Sequence, residues 1–356
     1  SNRNIIINGA MQVAQRGTSS TSSGYKTIDR INPYHDNIGV TPTYSQVDVT
    51  SGGAYDAGFR KAWQVTKGAG TANAASQVNM GYKIEAQDIA NSGWKYTDPN
   101  SKITLSFWVK TSVSNHNPQI LIMDQDSGTA GTKYYQVDIP TLTANTWTRV
   151  TTTIPGHADQ VYNNDNGTGF EIQIIPWYGT SFTDAGNTMN AWTTFGTKPV
   201  NSTWLTTNNS TFQVTGIQLE VSDYATDFEH RSYGQELALC QRYYQVIVRA
   251  SDYGSGIAPI CNVIGYQTNN VFGVLDLPVS MRSSPSLDAV SGTGYWKCFR
   301  NAGSGDFNSI LLDQVTNSRI ELNFYGVSSG TTIDADQPAW MRTNDSSAFI
   351  GLQAEL

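Results

Sequence analysis

Charge is scarce in this sequence. Of 356 residues only 14% are Asp, Glu, Lys or Arg, and 29 acidic residues outnumber 22 basic ones, for a formal net charge of −7. An average soluble protein carries about 25% charged residues. A nucleic-acid partner would want clustered Lys and Arg, so this balance argues against one. Cysteine is scarcer still. Cys240, Cys261 and Cys298 are odd in number and widely spaced, which fits neither a disulfide framework nor a zinc site. Cys240 reads as a small buried hydrophobe. His35, His116, His157 and His230 lie far apart, and none has a second ligand at metal spacing. No apolar run approaches the ~20 residues of a spanning helix, so neither membrane insertion nor a signal peptide is read. A nucleophile elbow, an H-E-x-x-H pair and a phosphate loop are all missing.

The space is filled by Ser, Thr, Asn, Gly and Gln, with 18 Tyr and 9 Trp. Aromatic and β-branched residues are too plentiful for a disordered chain. The pattern is that of an uncharged, β-rich surface protein. In "SKITLSFWVK", Ile103, Leu105, Phe107 and Val109 alternate with polar residues, the period of a half-buried strand. "QILIMD", "KYYQVDI", "TWTRVTTTI", "GFEIQIIPWY" and "TFQVTGIQLEV" follow, with turns between them. Short antiparallel strands at this spacing predict an all-β fold, an antiparallel β-sandwich of jelly-roll type.

One segment reads differently. In "RSYGQELALCQRYY", Ser232 and Gln235 form a capping box. Leu237, Cys240 and Tyr244, with Leu239 and Tyr243, recur at helical spacing. Glu236 falls in the predicted first turn and Arg242 in the last. This is either a packing helix or the joint between two domains. The expected organisation is an N-terminal docking segment (1–29), a jelly roll (30–231), a linking helix (232–245) and a second, smaller β-sandwich (246–356).

Four stretches look familiar: "NIIINGAMQVAQRG", "TIDR" at 27–30, "TGIQLEVSDYATDFEHRSYGQELALCQRYY" and "LPVSMRSSP". Together they resemble a pattern recurring in tail-fibre and other virion surface proteins of bacteriophages. That resemblance implies a virion structural protein on the tail or capsid exterior, whose jelly roll is similar to carbohydrate-binding modules. It also implies a homo-oligomer, commonly a trimer, with other virion proteins as partners. Such fibres usually begin with a virion-anchoring segment. Little precedes "NIIING", so an anchor is expected from another protein or from chain beyond this sequence.

Sugar binding needs flat rings for the apolar sugar face and planar polar groups for the hydroxyls. Trp177, Tyr178 and Trp192 lie in or beside a long insert, residues 178–209, without periodicity. A loop of that length usually has a task. Trp94 and Tyr96 in "SGWKYTDPN" are similar. Trp108 faces away from its apolar strand neighbours, together with Thr104 and Ser106. The competing reading packs these rings under loops or between subunits. Asp124 and Asp126 in "DQDSGTAG" start like a calcium loop but lack the downstream Glu of an EF-hand. They are weak candidates for a metal and equally suited to capping a turn. Asp138, Glu171 and Glu220 fall in strands, and nothing pairs them as a glycosidase requires. The expectation is therefore a non-enzymatic receptor-binding fibre subunit that attaches to host surface glycan, without a cofactor unless calcium is bound. Two alternatives stand beside it: a purely structural capsid decoration, head-fibre or cement protein, and a tailspike-like polysaccharide depolymerase.

Overall fold

The computed structural model describes residues 3–127, 133–267, 269–301, 303–330 and 334–356. The fold is all-β, and the chain divides into two compact units, Ser1–Leu237 (with Leu356) and Ala238–Glu355.

The first unit is a sandwich of two six-stranded antiparallel sheets. In spatial order, the first sheet runs Ser19–Ser20, Thr43–Asp48, Lys61–Lys67, Ser210–Glu220, Lys102–Thr111, Thr148–Pro155. The second runs Trp192–Thr193, Tyr134–Asp138, Gln119–Asp124, Thr168–Tyr178, Gln77–Glu85, Asn32–Asp36. The alternation in Lys102–Thr111 does what its period requires. Ile103, Leu105, Phe107 and Val109 meet Ile120, Ile122, Ile172 and Ile174 of the second sheet in one core. Each such buried side chain contributes about 1.5–3 kcal/mol.

The N-terminal segment belongs to this sandwich. Ile6, Met11, Val13, Ile28 and Ile31 have no exposed surface. Ile5 N donates to Leu219 O at 2.9 Å and Ile217 N to Gly9 O at 3.0 Å. A Cβ on Gly9 would lie 2.0 Å from Ile217 O, so only glycine permits this approach. A polar network fastens the segment from within. Asn8 Nδ2 donates to Val13 O (2.8 Å) and Asp29 O (2.9 Å), and its Oδ1 accepts from Val13 N (3.0 Å). Arg231 donates to the carbonyls of Ile6 and Asn4. Glu229 accepts from the backbone N–H groups of Arg3 (3.1 Å) and Asn4 (2.8 Å). Burial pushes the Glu229 carboxyl up, but those donors and the Arg231 guanidinium outweigh it and hold it below its ordinary value.

Beyond this network, Gln235 N donates to Ser232 Oγ at 3.4 Å and Ser232 N to Gln235 Oε1 at 3.1 Å, a reciprocal capping box. The helix covers Tyr233–Gln241. Arg242 therefore lies past its last turn, because Tyr244 already pairs with Gln353 as the strand Tyr244–Arg249 begins. Cys240 is fully buried.

In the second unit, six strands close into a barrel in the order Pro259–Gln267, Asn270–Asp276, Arg319–Gly330, Gly303–Val315, Trp296–Arg300, Pro338–Thr343. A three-stranded sheet, Tyr244–Arg249, Phe349–Gln353 and Ser286–Val290, completes it. Val263, Val271, Cys298, Leu322, Phe324 and Met341 fill the core. Here the β-architecture takes a closed form, where the sequence pattern suggested a small sandwich. Both forms share the two-residue period. Closure follows from pairing: Pro259–Gln267 bonds to both Asn270–Asp276 and Pro338–Thr343, with a bulge in each ladder. Bulges bend and coil strands, which closure requires.

Candidate functional site

On the outer face of the first sheet a second apolar cluster forms, with Ala54, Phe59 and Ala62 buried and Trp108 and Phe228 half-buried. Trp108 is outward, opposite its apolar neighbours, as its place in the alternation predicts. Two segments wall it in. The helical turn Gly53–Asp56 rests on the indole so closely that a Cβ on Gly53 would lie 2.6 Å from Trp108 Cζ3. Gly216, at φ +67° beside a bulge in Ser210–Glu220, seats the Phe59 ring, and a Cβ there would meet Phe59 Cζ at 2.5 Å. Phe59, Phe228 and His230 then contact one another at centroid distances of 4.8, 4.9 and 5.2 Å. His230 Nε2 donates to Ala57 O at 3.1 Å. Arg149 donates to Thr226 O at 2.6 Å, tying the second wall to the strand Thr148–Pro155.

The outcome is a cleft of about 530 Å³ with Phe59, Trp108, Phe228 and His230 as its aromatic lining and Asp56, Asp227 and Arg149 among its charges. That volume suits a small ligand. The Trp108 indole N–H and the carboxylates of Asp56 and Asp227 have no hydrogen-bond partner among the described residues. An aromatic residue with a free donor and two residues with free acceptors therefore line one cavity. Sequence reasoning reached Trp108 but missed Phe59, Phe228 and His230. The phrase "DFEHR" and the glycines flanking Ala54 and Phe59 were the available signals.

Tyr178 stands on the outer face of the other sheet. It accepts from Asn79 Nδ2 at 3.1 Å and donates to Gln173 Oε1 at 2.8 Å. Gln173 Nε2 donates to Glu171 Oε1 at 2.9 Å, and Gln125 Nε2 to Glu171 Oε2 at 2.8 Å. This polar strip is already internally bonded, and Tyr178 itself is buried, which pushes its hydroxyl pKa up. Beside it, Gly81 opposite Gln173 leaves the face open, and Tyr34 opposite Asn79 is 43% exposed. Trp108 and Tyr178 thus lie on different sheets and do not form one site.

The other aromatic candidates point inward, which corrects the exposure expected of them. Trp192 is 8% exposed, donates to Pro155 O at 2.7 Å and packs edge-on to Tyr135. Trp94 donates to Ser101 O at 3.2 Å and packs with half-buried Tyr96 and with Tyr162 and Phe170. Trp177 packs against the core, and its buried indole N–H has no partner among the described residues. A Trp in a polar loop is buried when the loop folds back and a carbonyl lies within reach of its N–H.

Asp124 and Asp126 hold turns. Asp124 Oδ1 accepts from Asp126 N (2.9 Å) and Ser127 N (3.0 Å), and its Oδ2 accepts from Val161 N (3.1 Å). Asp126 Oδ2 accepts from Asn163 N at 3.0 Å. Burial pushes the Asp124 carboxyl up against the pull of these donors. The rest of the expected calcium loop, residues 128–131, lies outside the described residues. Among the described residues, no three His, Cys, Asp or Glu gather as a metal-ligand set. Glu220 sits in the first sheet and accepts from Thr226, Glu171 belongs to the strip on the second sheet, and Asp138 meets Lys198 at 3.5 Å.

No family model matches this chain, and no curated protein sequence does. Solved structures do match. The enzymatically active domain of tailspike protein 4 from bacteriophage CBA120 is 12% identical, covers 62% of this chain and 22% of that one, and has a TM-score of 0.33. The CBM22-1 xylan-binding domain of Paenibacillus barcinonensis Xyn10C is 11% identical over 58% of this chain and 94% of that one, with a TM-score of 0.28. A family 11 carbohydrate-binding module from Clostridium thermocellum is 11% identical over 60% and 98%, also with a TM-score of 0.28. The neighbours include carbohydrate-binding modules, a phage tailspike domain and a cyclase from Fischerella sp., the last 9% identical over 64% of this chain and 96% of that one with a TM-score of 0.33. At these TM-scores they assign no ligand, activity or virion role to this chain.

Proposed function

We propose that this chain binds carbohydrate in the Trp108 cleft and serves as a non-catalytic receptor-binding subunit, a tail-fibre component on a bacteriophage surface. The observation that carries the reading is Trp108 itself: an outward, half-buried indole with a free N–H, bordering a cavity with unpartnered carboxylates. A pyranose offers an apolar C–H face for the ring and hydroxyls for Asp56, Asp227 and Arg149. Single shallow sites bind weakly. A closed oligomer, a trimer in this proposal, makes them effective through local concentration.

A glycan array and a host-cell binding assay on the purified oligomer test this. Trp108→Ala is expected to weaken binding about tenfold, the loss of one good stacking contact, with an unchanged melting temperature in the Trp108→Phe control. Undiminished binding by Trp108→Ala would remove the cleft from the account. Absence of any glycan or cell binding by the intact oligomer would favour a structural decoration role. Release of shortened polysaccharide would favour a depolymerase.

A further inference from the structure

The barrel of the second unit carries a groove that the sugar cleft does not involve. On Pro259–Gln267, Asn270–Asp276 and Arg319–Gly330, side chains alternate between core and surface. Val263, Val271 and Leu322 point inward. Ile264, Phe272 and Asn323 point outward in one row, set by the pairs Ile264↔Phe272 and Phe272↔Asn323. Tyr266, 66% exposed, stands edge-on to Phe272 at 5.3 Å. Ile264, Tyr266, Phe272, Asp313 and Glu321 line a groove of about 310 Å³.

The polar chemistry of the groove is one-sided. The carboxylates of Asp313 and Glu321 and the Tyr266 hydroxyl have no partner among the described residues. Among the described residues, neither Lys nor Arg lines the groove. Arg319, on the same strand as Glu321, is bound to Asp276 at 2.5 Å. Acceptors beside exposed rings select a donor-rich cation with an apolar flank.

We propose that this groove binds an ammonium-bearing ligand, its nitrogen held by Asp313 and Glu321 and its apolar face laid on Tyr266 and Phe272. A free amino sugar and an alkylamine share this chemistry. The full chain is titrated with glucosamine, cadaverine and N-acetylglucosamine while the Tyr266 ring signals are followed by NMR. Glucosamine and cadaverine are expected to shift them, and the neutral N-acetyl sugar is not. A shift with glucosamine alone identifies an amino sugar as the ligand class, and one with cadaverine alone an alkylamine. Glu321→Gln, which keeps the side chain's size, is expected to weaken binding at least tenfold, and Trp108→Ala to leave it unchanged. That last arm separates this groove from the sugar cleft. Equal binding of N-acetylglucosamine, no shift with either amine, or wild-type affinity in Glu321→Gln overturns the proposal.

Discussion

Asn8→Ala is expected to destabilise the first unit by about 3 kcal/mol or more. The substitution removes the bonds that Asn8 makes to Val13 N–H, Val13 O and Asp29 O at 2.8–3.0 Å, in a position with no exposed surface, and Val13 O keeps its bond from Asp29 N at 3.1 Å. The buried Val13 N–H left unpaired costs about 1–3 kcal/mol, and each further hydrogen bond lost about 0.5–1.5 kcal/mol. Asn8 also holds φ +60°, a left-handed conformation that asparagine tolerates better than alanine. Its backbone N–H reaches Glu236 Oε1 at 2.5 Å, so the loss extends to the contact that bonds this turn to the first turn of the helix. Urea unfolding followed by Trp fluorescence checks the value. Seven of the nine Trp residues lie in the first unit, so the signal reports mainly on it. A lowered midpoint with an unchanged slope is the expected result. A loss below about 1 kcal/mol would mean that water or a relaxed turn replaces the side chain.

The same network explains what the sequence could and could not disclose. The alternation in Lys102–Thr111 and the Ser232/Gln235 box were legible because each rests on neighbours within a few residues. The role of "NIIING" was not, because its partners Ile217, Glu229, Arg231 and Glu236 lie more than 200 residues away. The stretches therefore read as separate phrases although "NIIING", "TIDR" and "DFEHRSYGQE" meet in one bonded cluster. The cleft shows the same division. Strand parity sent Trp108 outward, but its walls come from residues 52–59 and 226–230, which carry no periodicity. Aromatic exposure was the least legible feature. Trp192 and Trp94 occupy polar surroundings in sequence and are buried because Pro155 O and Ser101 O lie within hydrogen-bond distance of their indoles. Barrel closure was equally silent, since inward–outward alternation is the same in a sandwich.

Mild acid should weaken the first unit through His116. Its imidazole has no exposed surface: Nε2 donates to Pro176 O at 2.8 Å, and Nδ1 accepts from Thr111 Oγ1 at 2.9 Å. The ring stacks on Trp204 and meets Phe212 edge-on. Lys67 Nζ lies 4.7 Å from the same Trp204 ring, so a His116 cation would share that indole with an existing charge. Burial lowers the His116 pKa to about 4, with the Pro176 bond opposing the shift. Unfolded histidine titrates near 6.5. Between these values the unfolded chain binds a proton that the folded chain refuses. Stability is therefore full above about pH 6.5 and falls as the pH drops toward 4. From pH 7 to pH 5 the loss from this residue is about 2 kcal/mol, in a window where most carboxylates stay ionised. His35, also lowered by burial and only partly offset by Asp36, acts in the same direction. Urea midpoints at pH 7, 6 and 5 read the slope. His116→Leu should be less stable at pH 7 because Thr111 and Pro176 lose their partner, yet show a flatter slope, retaining only the share of His35. A wild-type midpoint that does not move between pH 7 and 5 would show that the folded chain takes up the proton without loss, with His116 reaching water in the native state.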